Sequence, residues 1–184
     1  FFMKDYFYPL ALSSWDEEEI EVACDVIRST RTTMGKHVNQ FQKDFSKYIG
    51  VEKTYMVNSG SSANLLMAMA LRTYLELYCD SRRTILIPAV GWSTSYAPFI
   101  QLGFKVTLID ISLSTYNICL DSLLNEISSD VVAVLAINIL GNPCPLQKLL
   151  DICSQNNLFL LEDNCESLGA QSQGNKGFQK AGSF

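Results

Sequence analysis

With a single histidine, His37, and no Cys-x-x-Cys pair among its six cysteines, the sequence gives no reason to expect a zinc site. No basic run occurs, and the net charge of -5 argues against a nucleic-acid footprint. No stretch is apolar for long enough to span a membrane. Residues 61–79 come nearest, but Ser61, Ser62, Asn64, Arg72 and Glu76 interrupt them. The opening Phe1-Phe2-Met3-Lys4-Asp5 is too short and too soon charged for a signal peptide. Two phosphate-binding fingerprints are also missing: no Gly-Lys-Ser/Thr follows a glycine turn, and no Gly-x-Gly-x-x-Gly occurs. No repeat, low-complexity tract or linker is seen. Together these absences predict a cytoplasmic protein with no membrane or nucleic-acid partner. Its cysteines, at 24, 79, 119, 144, 153 and 165, are expected to be reduced and mostly buried.

What is present is apolar residue in the right places. The 184 residues are 48% hydrophobic and 18% charged, enough for one globular domain with a sizeable core. Ser14, followed three residues later by Glu17, reads as a capping box before Ile20, Ala23, Cys24 and Ile27 at helical spacing. After a loop over 29–35, Val38, Phe41, Phe45 and Tyr48 give a second amphipathic helix closed by Gly50. From there strand and helix alternate. Strands are predicted over 54–57, 84–87, 105–109 and 131–137 and from Phe159. Helices are predicted over 62–79, 93–102, 121–127 and 146–156. The final residues, 180–184, look like the start of a further strand. This alternation predicts an α/β fold, a three-layer αβα sandwich around a mostly parallel sheet. Residues 1–50 would form an N-terminal helical segment and 51–184 an incomplete large domain.

In such sheets ligands bind beyond the carboxyl ends of the strands. Three stretches fall there. Asn58-Ser59-Gly60-Ser61-Ser62-Ala63-Asn64 joins a strand to the long helix, and the free amides at a helix start favour an anion such as phosphate. An N-cap after a tight turn accounts for the same residues equally well. Trp92 sits where the strand over 84–87 gives way to a helix and could stack on a flat ring, although a tryptophan is more often packing. Asp163 ends the apolar run Leu158-Phe159-Leu160-Leu161, where it could hold a proton on a ring nitrogen or simply cap a helix. Asn138 to Pro143 puts a further polar loop at the same edge. A phosphate cradle, an aromatic platform and a carboxylate at one sheet edge are the three contacts pyridoxal phosphate needs.

The ordered segments Ser13-Ser14-Trp15-Asp16, Thr33-Met34-Gly35, Ser59 to Met67, Pro88 to Thr94, Leu140-Gly141-Asn142-Pro143 and Glu162 to Ser167 carry a resemblance. From about Tyr8 to Phe184 the chain resembles the amino-terminal part of the large domain of DegT/DnrJ/StrS-type sugar aminotransferases, fold-type-I pyridoxal-phosphate enzymes. Within that family it is most similar to the GDP-4-keto-6-deoxymannose 3-dehydratases of the ColD type, because Glu162-Asp163-Asn164-Cys165 replaces the usual Glu-Asp-Ala-Ala.

The resemblance implies that Gly60 and Ser61 bind the cofactor phosphate, Trp92 stacks on the ring, Asp163 pairs with the ring nitrogen and Glu166 lies near the ring. Met34 and Gly35 would border the sugar. It further implies pyridoxal or pyridoxamine 5'-phosphate, glutamate as amino donor, a nucleotide-sugar substrate that loses its C3 hydroxyl, and a homodimer when full-length. A sugar aminotransferase is the alternative, and a non-catalytic binding or dimerisation module a second. The catalytic base, histidine in the dehydratases and lysine in the aminotransferases, is expected shortly after Gly182-Ser183-Phe184, beyond the last residue. On this reading the chain is an amino-terminal fragment, inactive alone. His37 reads as a surface residue, and Lys176 and Lys180 precede the base position. Gln179 and Lys180 depart from the family's Gly-Asp-x-Gly pattern.

Overall fold

A computed structural model describes residues 12–175 and 177–184. Tyr8, where the resemblance begins, the opening Phe1 to Asp5, and Lys176 lie outside the described residues.

Helix α1 (Glu17–Arg28) starts two residues later than its sequence suggests. Asp16, not Ser14, is the cap: its carboxylate accepts from the Glu18 amide at 2.9 Å, and the Glu19 carboxylate accepts from the Asp16 amide at 2.9 Å. The reciprocal box outcompetes Ser14 because an ionised acceptor suits the positive end of the helix better than a hydroxyl does. Helix α2 (Lys36–Ile49) ends at Gly50, whose φ of 92° closes it in the left-handed region. His37 is exposed on it.

The predicted strand over 54–57 does not form. Thr54 donates its hydroxyl to the Gln42 carbonyl, and the Met56 amide donates to the Gln42 side chain, so the segment is tied to α2 and not to a ladder. Tyr55 and Met56 are exposed. β-prone residues make a strand only when a neighbouring strand accepts their hydrogen bonds. No such neighbour exists among the described residues.

Helix α3 (Gly60–Leu77), β1 (Thr84–Pro88), α4 (Ser93–Gln101), β2 (Lys105–Ile109), α5 (Leu120–Glu126), β3 (Val131–Ile137), α6 (Leu146–Gln155) and β4 (Phe159–Asp163) then alternate as expected. The four strands form one parallel sheet in the order β2-β1-β3-β4. Its central strand, β3, is buried throughout, as a strand covered on both faces must be. One face packs on α3 and α4 through Ala68, Leu71, Leu75 and Phe99. The other packs on α5 and α6 through Leu123, Leu146, Leu149 and Cys153. This is the predicted three-layer sandwich.

An antiparallel hairpin, β5 (Gln171–Gly174) with β6 (Gly177–Lys180), follows. The strand expected over 180–184 is absent: β6 ends at Lys180, and Ala181-Gly182 is a turn with Gly182 at φ 89°. Lys180 explains its own departure from the family pattern. Its ammonium donates to the Tyr48 carbonyl and lies 3.7 Å from the centre of the Tyr48 ring. It thus docks the hairpin on the C-terminal end of α2, where the dipole favours a cation.

All six cysteines are free, but only Cys144 and Cys153 are buried, fewer than expected. Burial pushes both up to about 12, so they remain neutral thiols of the core. At the opposite edge of the sheet from the strand C-termini, Arg82 pairs with Asp80 at 2.7 Å and donates to the carbonyls of Val131 and Asn157. It thereby ties the start of β3 to the turn before β4. Arg82→Ala is expected to destabilise the fold by about 2–3 kcal/mol, read as a lower urea midpoint, because three acceptors lose a partly buried cation.

Candidate cofactor site

Three of the four parallel strands end at one cavity of about 430 Å³, or at the loops that wall it. β1 leads into Val90, Gly91 and Trp92. β3 leads into Asn138, Ile139 and Leu140. β4 delivers Asp163, Cys165 and Glu166. Tyr116, from the loop after β2, completes the wall.

Two glycines allow these segments to meet. A Cβ on Gly91 would stand 2.6 Å from Ile137 Cδ1, so the β1 loop lies close on the end of β3 and a side chain there would have to displace Ile137. A Cβ on Gly60 would stand 2.8 Å from Cys165 Sγ, so the start of α3 presses against the loop after β4.

Asp163 is only 6% exposed, yet it is held for ionisation. Ser95 donates to Oδ2 at 2.7 Å, Asn64 donates to Oδ2 at 3.0 Å, and the Cys165 amide donates to Oδ1 at 3.2 Å. Burial opposes its charge, but the hydrogen bonds from Ser95, Asn64 and Cys165 outweigh burial and hold the carboxyl below its ordinary value. A negative charge thus stands at the cavity's wall at neutral pH.

Its neighbour Glu162 points to the other face of β4, as strand alternation requires. It accepts from the Gly182 amide at 2.8 Å and from Asn138 at 3.4 Å. Burial is the larger influence here and pushes this carboxyl up, against the hydrogen bonds that favour its charge. The sign has a consequence. A carboxyl raised in the folded state withdraws stability as pH rises through the unfolded and then the folded value, and restores it as pH falls. Glu162→Gln removes that titration, and its hydrogen-bond cost does not vary with pH. Relative to the parent, the variant is therefore expected to be more favourable at pH ~7 than at pH ~4 in paired urea titrations.

Glu166 accepts from the Leu140 amide. This contact pins the loop after β4 to the turn Ile139–Gly141, where Leu140 adopts φ 53°. Cys165 is pushed up to about 11 by its partial burial and by the neighbouring carboxylates of Asp163 and Glu166, so it stays a neutral thiol.

Of the residues singled out in the sequence, Trp92, Asp163 and Glu166 come together in the cavity. Trp92 is 75% exposed, so its ring is not committed to core packing. Gly60 adjoins the cavity through Cys165. Ser59 caps α3 by accepting from the Ser62 amide at 3.2 Å. The amides of Gly60 and Ser61 precede that bond at the helix start, and Ser61 is exposed. Met34 and Gly35 do not line the cavity: Met34 is exposed at φ 47°, and Gly35 is the N-cap of α2.

Sequence reasoning gave no role to Asn64, Ser95 or Tyr116, and placed Asn138 only in a polar loop. Two of these carried a signal. Asn64 stands on the same face of α3 as Ala68, Leu71 and Leu75, and Ser95 on the same face of α4 as Pro98 and Phe99. A polar residue heading an apolar helical stripe must find a buried partner, and both find Asp163.

Comparison with known proteins follows the same outline. The model of the DegT/DnrJ/EryC1/StrS aminotransferase family matches residues 13–184. The GDP-4-keto-6-deoxy-D-mannose 3-dehydratase of Yersinia pseudotuberculosis is 43% identical over 167 residues, covering 91% of this chain and 42% of that protein. The solved structure of the E. coli GDP-4-keto-6-deoxy-D-mannose-3-dehydratase with bound hydrated PLP superposes with a TM-score of 0.87 at 40% identity, covering 96% of this chain and 44% of that one. A GDP-4-keto-6-deoxymannose-3-dehydratase with a trapped PLP-glutamate geminal diamine also gives 0.87 at 40% identity, over 96% of this chain and 45% of the other. The chain thus spans less than half the length of the relatives it matches.

Proposed function

Because the chain belongs to the DegT/DnrJ/EryC1/StrS aminotransferase family, we propose that the gene product carrying it is a pyridoxal-phosphate-dependent nucleotide-sugar enzyme that removes the C3 hydroxyl of a 4-keto-6-deoxy nucleotide sugar. In this reading residues 1–50 are the N-terminal helical segment and 51–184 a part of the cofactor-binding large domain. The observation that carries it is the buried, ionised carboxylate of Asp163 at the wall of a cavity that also holds Trp92 and Glu166.

The residues fit the cofactor's chemistry. The phosphate suits the N-terminal end of α3, where Gly60 and Ser61 offer backbone amides and the helix dipole favours an anion. The exposed indole of Trp92 suits the face of a flat ring. Asp163 suits a protonated pyridine nitrogen, since each charge favours the other's ionised form. When bound, the cofactor supplies an electron sink for carbanion chemistry at the sugar.

The chain's own residues do the holding. Asp163 keeps a proton on the ring nitrogen, and its burial strengthens that pairing over what water would allow. Glu166, fixed by the Leu140 amide, sets a second carboxylate near the ring. The side chains of Val90, Ile137 and Ile139 add apolar surface to the lining of the cavity. Met34 and Gly35 are assigned to the sugar side. Glutamate is the amino donor, and two copies of the gene product act as a dimer.

The gene product, incubated with pyridoxal phosphate, glutamate and GDP-4-keto-6-deoxymannose, is expected to yield a 3-deoxy sugar. A 4-amino sugar in its place would assign transamination, and no conversion of any 4-keto sugar would refute the enzyme reading.

A further inference from the structure

Asp163 offers a cofactor only what its protein partners leave free. A carboxylate oxygen accepts about two hydrogen bonds. Oδ2 already has two, from Ser95 at 2.7 Å and Asn64 at 3.0 Å. Oδ1 has one, from the Cys165 amide at 3.2 Å, with the Cys165 thiol, a weak donor, beside the carboxylate. The remaining acceptor position of the carboxylate is therefore on Oδ1.

The orientation of Asn64 has its own cause. Its amide nitrogen carries two hydrogens and finds two acceptors, Asp163 Oδ2 and the Thr94 carbonyl at 3.2 Å. In an uninterrupted helix the Thr94 carbonyl would accept from the amide of residue 98. Residue 98 is proline, inside α4, and has no amide hydrogen to give. Pro98 thus frees the carbonyl that turns the nitrogen of Asn64, and not its oxygen, toward the carboxylate. With the oxygen turned inward, two acceptors would face each other in a buried site.

We infer that Asn64, Ser95 and Pro98 form a positioning set for Asp163: Asn64 and Ser95 saturate Oδ2, and Pro98 orients Asn64, so that Oδ1 alone is presented to a protonated ring nitrogen. Neither Asn64 nor Pro98 lines the cavity. They act through Asp163. This inference rests on the cofactor reading above and adds which residues set the ring nitrogen's proton affinity. The other titratable groups lining the cavity with Asp163 are Cys165, Glu166 and Tyr116.

The test uses the gene product titrated with pyridoxal phosphate, followed by absorbance, and the acid midpoint of the bound cofactor's spectrum. Ser95→Ala and Asn64→Leu are each expected to raise that midpoint by about one pH unit and weaken cofactor affinity about 3- to 10-fold. Pro98→Ala restores the helical amide and improves helix propensity, so it folds, and it is expected to move the midpoint the same way by less. Ser95→Thr keeps the hydroxyl and should stay within about threefold of the parent. Unchanged midpoints in Ser95→Ala and Pro98→Ala, alongside lost cofactor binding in Asp163→Ala, would overturn the positioning set alone. If Asp163→Ala also leaves affinity and midpoint unchanged, the cofactor reading fails, and the inference with it.

Discussion

Replacing Asp163 with alanine is expected to cost the gene product about 3–5 kcal/mol of cofactor affinity, a loss of at least ~100-fold. The reason lies in what Asp163 is surrounded by. Three donors hold it ionised despite burial, from α3, α4 and the loop after β4. Remove the carboxylate, and a protonated ring nitrogen would lose its anionic partner and face the amide nitrogen of Asn64, a donor, with only the neutral Ser95 hydroxyl able to turn and accept. Those same two donors would lose their acceptor in the unliganded protein, at about 1–3 kcal/mol each. A thermal melt of the unliganded variant should therefore show a moderate loss, and an absorbance titration a near-complete one. Affinity within threefold of the parent would remove Asp163 from the cofactor.

Asn138→Ala is expected to be the most destabilising single change at the site. Asn138 is 1% exposed, and both polar atoms of its side chain are used. It donates to Asn164 at 2.7 Å and to Glu162 at 3.4 Å, and it accepts from the Cys144 amide at 2.7 Å. Its own amide donates to the Asp163 carbonyl at 3.2 Å, which the substitution preserves. Alanine would strand the buried Cys144 amide and leave the Asn164 carboxamide oxygen, which keeps Ser167, and Glu162, which keeps Gly182, with one donor fewer each. A loss of about 3–4 kcal/mol follows, visible as a lower urea midpoint. A change below ~1 kcal/mol would mean that water replaces the side chain at no cost.

The parallel sheet was legible because its strands are apolar runs and its helices carry apolar stripes. β3 reads Val131 to Ile137 without a polar residue, and a run of that kind has few other places to go. The hairpin was not legible, since Gln171-Ser172-Gln173-Gly174 shows no apolar alternation and is held by its partner strand and by Ser172 donating to the Cys144 carbonyl. The strand expected over 54–57 failed for the converse reason: it has the right residues and no partner among the described residues. Local pattern reports which residues can be buried, and pairing is decided elsewhere in the chain. At the site, Asp163 and Trp92 could be placed at the sheet edge because strand ends are visible in sequence. The support under Asp163 depends on α3 and α4 crossing beside β4, over sequence separations of 99 and 68 residues. Only the polar heads of two apolar stripes hinted at it.

The central claim is that Asp163 holds a proton on the nitrogen of a bound pyridine ring. Nitrogen-15 NMR of ring-labelled pyridoxal phosphate, bound to the gene product at neutral pH, measures that proton directly. The account predicts a protonated ring nitrogen in the parent that becomes unprotonated in Asp163→Asn, measured at a protein concentration high enough to saturate the weakened site. An unprotonated nitrogen in the parent, or the same resonance in both proteins, would contradict it.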